Sequence, residues 1–223
     1  MFNRFKPKPV QWHVAIRDTL FGDVPLPRLL LVPESTLALE PWASFDRANR
    51  SIEAGETKTA VESLRGILDM PNLETRLYLQ AWNCLRDLGV APPRGKEKEL
   101  LGVVVEVGMP KGLDLLAAYP DFHARYYNFS GAGVVWDRSN NLLDASIEDL
   151  LRVGADVVQA IGPWKQGRPP APDKGDARIN LLTPSGLHFG QGPLKSLAKD
   201  GLAGAVIISA SLLMKQLITL TKS

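Results

Sequence analysis

The chain has 223 residues, 45% of them apolar and 22% charged, with 26 Lys+Arg against 24 Asp+Glu. These values suit a folded protein of one large or two small domains and exclude a disordered chain. Neither half concentrates the basic residues, which excludes the positive stripe that nucleic-acid binding needs. A single cysteine, Cys84, rules out an internal disulfide and a cysteine-ligated zinc site, and points to a reducing, cytoplasmic compartment. No apolar run followed by a small-residue cleavage site opens the sequence, so no signal peptide is expected.

Residues 1–40 read as an irregular segment, because prolines at 7, 9, 25, 27 and 33 forbid long helices. Arg4, Lys6 and Lys8 read as a solvated terminus. Trp12, Ile16, Leu20 and Phe21 have the spacing of one short amphipathic helix, broken by Gly22-Asp23. Residues 41–90 predict three helices joined by short connections and hence antiparallel. Pro41 suits a first helical position and Gly55 a left-handed cap; Thr59 and Glu62 have capping-box spacing before Pro71; Asn72 caps the third helix and Gly89 ends it. Leu73, Leu77, Ala81, Leu85 and Leu88 make that helix's apolar stripe.

The proline-rich stretch 89–98 is the candidate boundary, and from residue 99 the apolar period becomes that of strands. Strands are expected at 99–107, 113–119, 124–129 and 133–137, a helix at 144–161, strands at 177–183 and 186–190, and a long helix from 194. That order gives an α+β fold: N-terminal antiparallel helices packed with a C-terminal antiparallel sheet flanked by two helices, the α+β part spanning 99–223. The apolar run 201–220 is as long as a membrane span, but Lys215, Gln216 and three hydroxyl residues favour a core helix, so no membrane is expected as partner.

Two resemblances sit on these residues. Gly55, Ala60, Leu64, Leu68 and Pro71 resemble the turn and second helix of a tetratricopeptide repeat, with the proline one position early and the aromatic positions missing; this implies a helical hairpin of that type, not an array. The phrases Phe21-Gly22-Asp23, LGVVVEVG, ARYYNFSG, IGPW and LTPSGLHFGQGP together resemble a bacterial protein family with no assigned activity. That resemblance implies a bacterial, cytoplasmic protein and supplies no catalytic residue.

Candidate site residues come from the strands. If 108–112 is the first hairpin loop, Val107 pairs with Leu113 and Glu106 lies opposite Asp114, with Arg125 and Tyr127, then Phe129, Val134 and Trp136, on the same face. Arg125 and Arg178 are the available cations for that acid pair. The other face would carry Leu101, Val103, Val105, Leu113, Leu115, Ala117 and Val135 and pack under the C-terminal helices; a register slip of one residue would reverse both assignments. Ser185, His188 and Gln191 in the glycine-rich stretch 183–193 could line a pocket, Ser130 and Ser185 being conceivable nucleophiles with His123 or His188 as base. The stretch reads first as a structural turn, for no GxSxG elbow is present and strand-to-helix turns use Gly and Ser. His13, His123 and His188 lack metal-ligand spacing, no phosphate loop is recognisable, and no cofactor is expected. The residues 169–172 read as a surface loop or a polyproline ligand. The expectation is a non-catalytic interaction or scaffold protein with a protein partner; the alternative is a small-molecule sensor or hydrolase using the sheet face and the 183–193 loop.

Overall fold

The structure, a computed structural model, describes residues 12–220, with side chains from residue 15. Arg4, Lys6 and Lys8 lie outside the described residues, as does the side chain of His13.

Six helices come first: α1 (Trp12–Phe21), the single turns α2 (Leu26–Leu29) and α3 (Glu34–Leu37), then α4 (Trp42–Glu53), α5 (Thr57–Leu68) and α6 (Thr75–Asp87). The strands are β1 (Gly102–Met109), β2 (Gly112–Ala118), β3 (Ala124–Tyr127) and β4 (Gly133–Trp136), followed by α7 (Asp144–Ala160), β5 (Asp176–Thr183) and β6 (Gly186–Pro193). The expected last helix is two, α8 (Leu194–Leu197) and α9 (Ala203–Leu220), separated by a turn at Asp200-Gly201. The sheet is antiparallel throughout, in the order β4-β3-β2-β1-β5-β6. An α+β fold is what the strand and helix periods implied.

Helices cover both faces of the sheet. Val103, Val105, Leu116, Tyr126, Trp136, Ile179 and Leu181 pack with α7 and α9 in one core. Val104, Leu113, Leu115, Ala117 and Leu182 pack with Leu20, Phe45, Leu64 and Leu85 in the other. The stretch 89–98 thus divides helices from strands along the chain, while the N-terminal helices and the sheet share one core.

Local readings change, the first at α5, which begins at Thr57 after Glu56 with no side-chain cap hydrogen bond, so Thr59 and Glu62 lie inside the helix and form no capping box. Asn72 does not cap α6: it takes a left-handed conformation (φ 55°), and the helix starts at Thr75, whose backbone N–H is received by Asp121 Oδ2 at 2.8 Å from the β2–β3 turn. Of the three α6 residues expected deepest, Ala81 and Leu85 are buried and Leu77 is half-buried. Helix α9 is long and apolar enough to cross a membrane, with 39% of it buried; Ile208 and Leu212 on its outer side are 59% and 53% exposed.

The larger correction is register. The β1–β2 hairpin turns on Pro110-Lys111, pairing Met109 with Gly112 and Val107 with Asp114, one residue away from the expected pairing. Tight two-residue hairpins set register through the turn, and a slip of one moves a whole strand's side chains across the sheet. Glu106 therefore faces the N-terminal helices and Asp114 the C-terminal ones, which removes the acid–acid pair. Leu101, Leu113, Leu115 and Ala117 pack under the N-terminal helices, Val135 is exposed, and Trp136 lies on the face of α7 and α9.

Candidate functional site

The seam beneath the N-terminal helices holds a buried ionic cluster centred on Glu106, which is fully buried. Strand pairing places Arg178 of β5 beside it, and α1 brings Arg17 from above. Arg17 Nε donates to Glu106 Oε1 at 2.5 Å; on the other carboxylate oxygen, Oε2, Arg17 Nη2 lies at 3.3 Å, Asn180 Nδ2 at 3.1 Å and Arg178 Nη1 at 3.5 Å. Both guanidiniums also clamp the 161–175 connection: Arg17 donates to Pro169 O at 2.9 Å, and Arg178 to Pro170 O at 2.7 Å. Arg178 ends on Gln191, whose Oε1 accepts from its Nε at 2.8 Å. Burial pushes the Arg178 pKa down, against the pull of Glu106. The residues 169–172 are thus a surface loop whose carbonyls are fixed by buried cations.

A second cluster adjoins it. Arg168 Nε donates to Asp23 Oδ2 and its Nη2 to Asp18 Oδ1, both at 2.6 Å, with the guanidinium 4.6 Å from the Phe21 ring centre. Burial raises the Asp23 pKa, outweighing Arg168. The chain can turn from α1 into Asp23 because Gly22 has φ +62° and a Cβ there would meet Leu79 Cβ at 2.7 Å. Arg17, Arg178 and Arg168 thereby face Glu106, Asp18 and Asp23, three charges against three.

Above these clusters lies a cleft of about 410 Å³, walled by the end of α1, by α6, by residues 164–168 and by the β5–β6 hairpin. Asp23, Arg86, Trp164, Arg168 and Ser185 are among its lining residues. Arg86 differs from Arg17, Arg168 and Arg178. Its Nη1 donates to Pro184 O at 3.0 Å and its Nη2 to Asn83 Oδ1 at 3.1 Å, both neutral acceptors. Burial lowers its pKa, and Asp87, then Cys84 and Asp23, offset only part of that. Under the cleft floor, Ser185 Oγ is 3.3 Å from His188 Nε2 and 2.9 Å from Thr183 Oγ1, and His188 Nδ1 is 3.3 Å from Ile161 O.

The residues singled out from the sequence thus separate. Glu106 joins Arg178 and Gln191, with Tyr127 and Arg125 further along the same face. Arg125 is spent on structure: it donates to Trp136 O at 2.8 Å and to Asp137 at 2.6 Å, tying β3 to β4. Asp114 accepts Phe129 N–H at 2.7 Å and Tyr126 O–H at 3.2 Å, and borders an apolar pocket of about 250 Å³ under α9. Burial, then Asp114, pushes the Tyr126 phenol up to about 12. Ser185 and His188 do come together. His123 sits 3.7 Å from Glu74 and 3.6 Å from Asp121, and Ser130 lies in an exposed turn with its hydroxyl on Asn128 Oδ1 at 2.7 Å. Among the described residues no three His, Cys, Asp or Glu side chains gather as a metal-binding group. Cys84 is buried, and burial pushes its thiol up to about 11.

Arg17, Arg86, Arg168, Asp23 and Asn180 were missed. The signal for Arg17 was an arginine flanked by the apolar positions Ile16 and Leu20; for Arg168, its place beside a proline run fixed from both sides.

Compared with protein-family models, with curated proteins and with solved structures, the chain matches none.

Proposed function

We propose that this protein binds a small anionic molecule, a carboxylate by preference, in the cleft beside the β5–β6 hairpin, as a sensor or carrier of the bacterial cytoplasm. The observation that carries the reading is Arg86: a half-buried guanidinium at a cleft wall, hydrogen-bonded only to neutral acceptors while the neighbouring arginines have carboxylate partners. A cation in that state gains from a bidentate anion, because charge-assisted pairs are roughly twice as strong as neutral hydrogen bonds. The cleft's volume falls in the range of small-ligand sites. Covering both sheet faces with helices also removes the flat aromatic face that a protein-docking surface there would need. The bacterial and cytoplasmic parts of the proposal rest on the sequence phrases and the lone cysteine.

Calorimetric titration with acetate, butyrate, succinate and phosphate tests it. Saturable binding of at least one carboxylate is expected, weakened about tenfold or more in Arg86→Gln, equivalent to about 1.4 kcal/mol. Equal binding by the variant would overturn it.

The protein-interaction reading keeps one observation in its favour. Ile208 and Leu212, four residues apart, leave an apolar patch exposed on the outer side of α9, where scaffold contacts could form.

A further inference from the structure

The cleft floor carries a nucleophile–base pair. Ile161 O can only accept a hydrogen bond, so the imidazole of His188 carries its proton on Nδ1 and presents a bare Nε2 to Ser185. Ser185 O–H is therefore the donor in the 3.3 Å contact. Thr183 Oγ1, 3.0 Å from Gly186 O, donates there or to Ser185 Oγ, and neither choice uses the Nε2 lone pair. The Ser185 backbone is pinned by its N–H to Glu97 O at 3.3 Å. His188 is fully buried while Ser185 is half-buried and lines the cleft, so the base is shielded from water and the serine borders the space a substrate would enter. Arg86 brackets the serine: its guanidinium bonds Pro184 O on one side, and its Nε lies 3.7 Å from where a Cβ would stand on Gly186 on the other. Gly186 has φ +118°, which keeps that approach open to glycine.

We propose that Ser185 is an acyl-transfer nucleophile, with His188 as its base and Arg86 beside the developing oxyanion, hydrolysing small carboxylic esters. The proposal rests on the reading of the cleft as a carboxylate site, since the carboxylate it would hold is the acid product of the same reaction. Ser185 Oγ bonds to the ester carbonyl carbon as its proton passes to Nε2, and the negative charge collects on the carbonyl oxygen near Arg86. The carbon–alkoxy bond then breaks, and the leaving alkoxide takes the proton from Nε2. Water attacks the acyl-serine, gives a proton to Nε2, and Oγ leaves and recovers it. The sum is ester plus water to acid plus alcohol. Arg86 meets a neutral oxygen in the ground state and a charged one in the transition state, the difference that accelerates a reaction. Burial of His188 lowers its pKa below 6.5, so the neutral base is present at pH 7.

Labelling the full chain with a fluorophosphonate, in which Oγ displaces fluoride from phosphorus, and hydrolysis of p-nitrophenyl butyrate test this. The expected result is a single adduct on Ser185, and turnover that Ser185→Ala lowers about a hundredfold or more, with an unshifted denaturation midpoint. The wild-type rate should rise through a pKa below 6.5 and stay level above it. An unlabelled Ser185 in a protein that still binds butyrate through Arg86 overturns the dyad and leaves the cleft reading standing. Loss of labelling and of butyrate binding in the wild type overturns both. A changed midpoint in Ser185→Ala without any labelling of the wild type assigns the serine to the hairpin turn alone.

Discussion

The two faces of the sheet solve the same problem in opposite ways. Under α7 and α9 the seam is apolar: Val103, Val105, Leu116, Ile179 and Leu181 need only matching volume from Leu150, Val206 and Leu213. Under the N-terminal helices the same strands place Glu106, Arg178 and Asn180 among leucines, and α1 must supply Arg17 at a fixed position. An apolar seam tolerates substitutions that keep volume, whereas a buried carboxylate needs each partner in place. The polar seam also reaches outward. Arg17 and Arg178 hold the carbonyls of Pro169 and Pro170, next to Arg168, so the ionic cluster positions one wall of the cleft. The apolar seam gives cohesion; the polar seam gives placement.

The sharpest way to break this contrast is Glu106→Gln. It leaves Arg17 and Arg178 without their anion in a dry site, and a loss of about 3–5 kcal/mol in urea-unfolding stability is expected. A loss below about 1 kcal/mol, the scale of an exposed pair, would show the cluster to be solvated. The matched change on the other face is Leu213→Ala, expected to cost about 2–5 kcal/mol, with Leu213→Met costing under about 1.5 kcal/mol. The conservative swap on the polar face, Arg178→Lys, should be less well tolerated than Leu213→Met, because a lysine cannot span Glu106, Gln191 and the proline carbonyls together. Equal costs for the two conservative swaps would erase the distinction.

A smaller effect is expected with pH. The His188 pKa is lowered by burial from 6.5. The unfolded chain therefore binds more protons than the folded one below 6.5, and stability falls as pH drops through 6.5 toward the lowered value. His188→Gln should flatten that part of the stability–pH curve. A curve of unchanged slope would place the titration elsewhere. The smallest effect is expected from Tyr126→Phe, which removes one half-buried hydrogen bond to Asp114 and should cost about 0.5–1.5 kcal/mol.

Much of the architecture was readable in the residues, because strand period, turn residues and helix ends are local. The alternation of Val103, Val105 and Val107 marked β1, and Gly55 and Gly89 marked helix ends, both taking positive φ. Register was not local enough. A loop centred on Pro110 fits a five-residue or a two-residue turn equally by composition, and the choice decides where Asp114 points. Arg178 was recognisable as a partner for Glu106 once β5 lay beside β1, but Arg17 lies 89 residues away from it, and no pattern within α1 reveals what its polar position meets. Ser185 and His188 were legible together because they lie three positions apart around one hairpin. Arg86 was not, because its significance lies in having neutral hydrogen-bond partners, a property of the folded neighbourhood.

The most direct measurement is a crystal structure of the protein grown with butyrate. The expected result is the carboxylate in the cleft, within hydrogen-bond distance of the Arg86 guanidinium and beside Ser185, with the Glu106 cluster unmoved. A cleft left empty at saturating butyrate, or a carboxylate bound away from Arg86, would contradict the account.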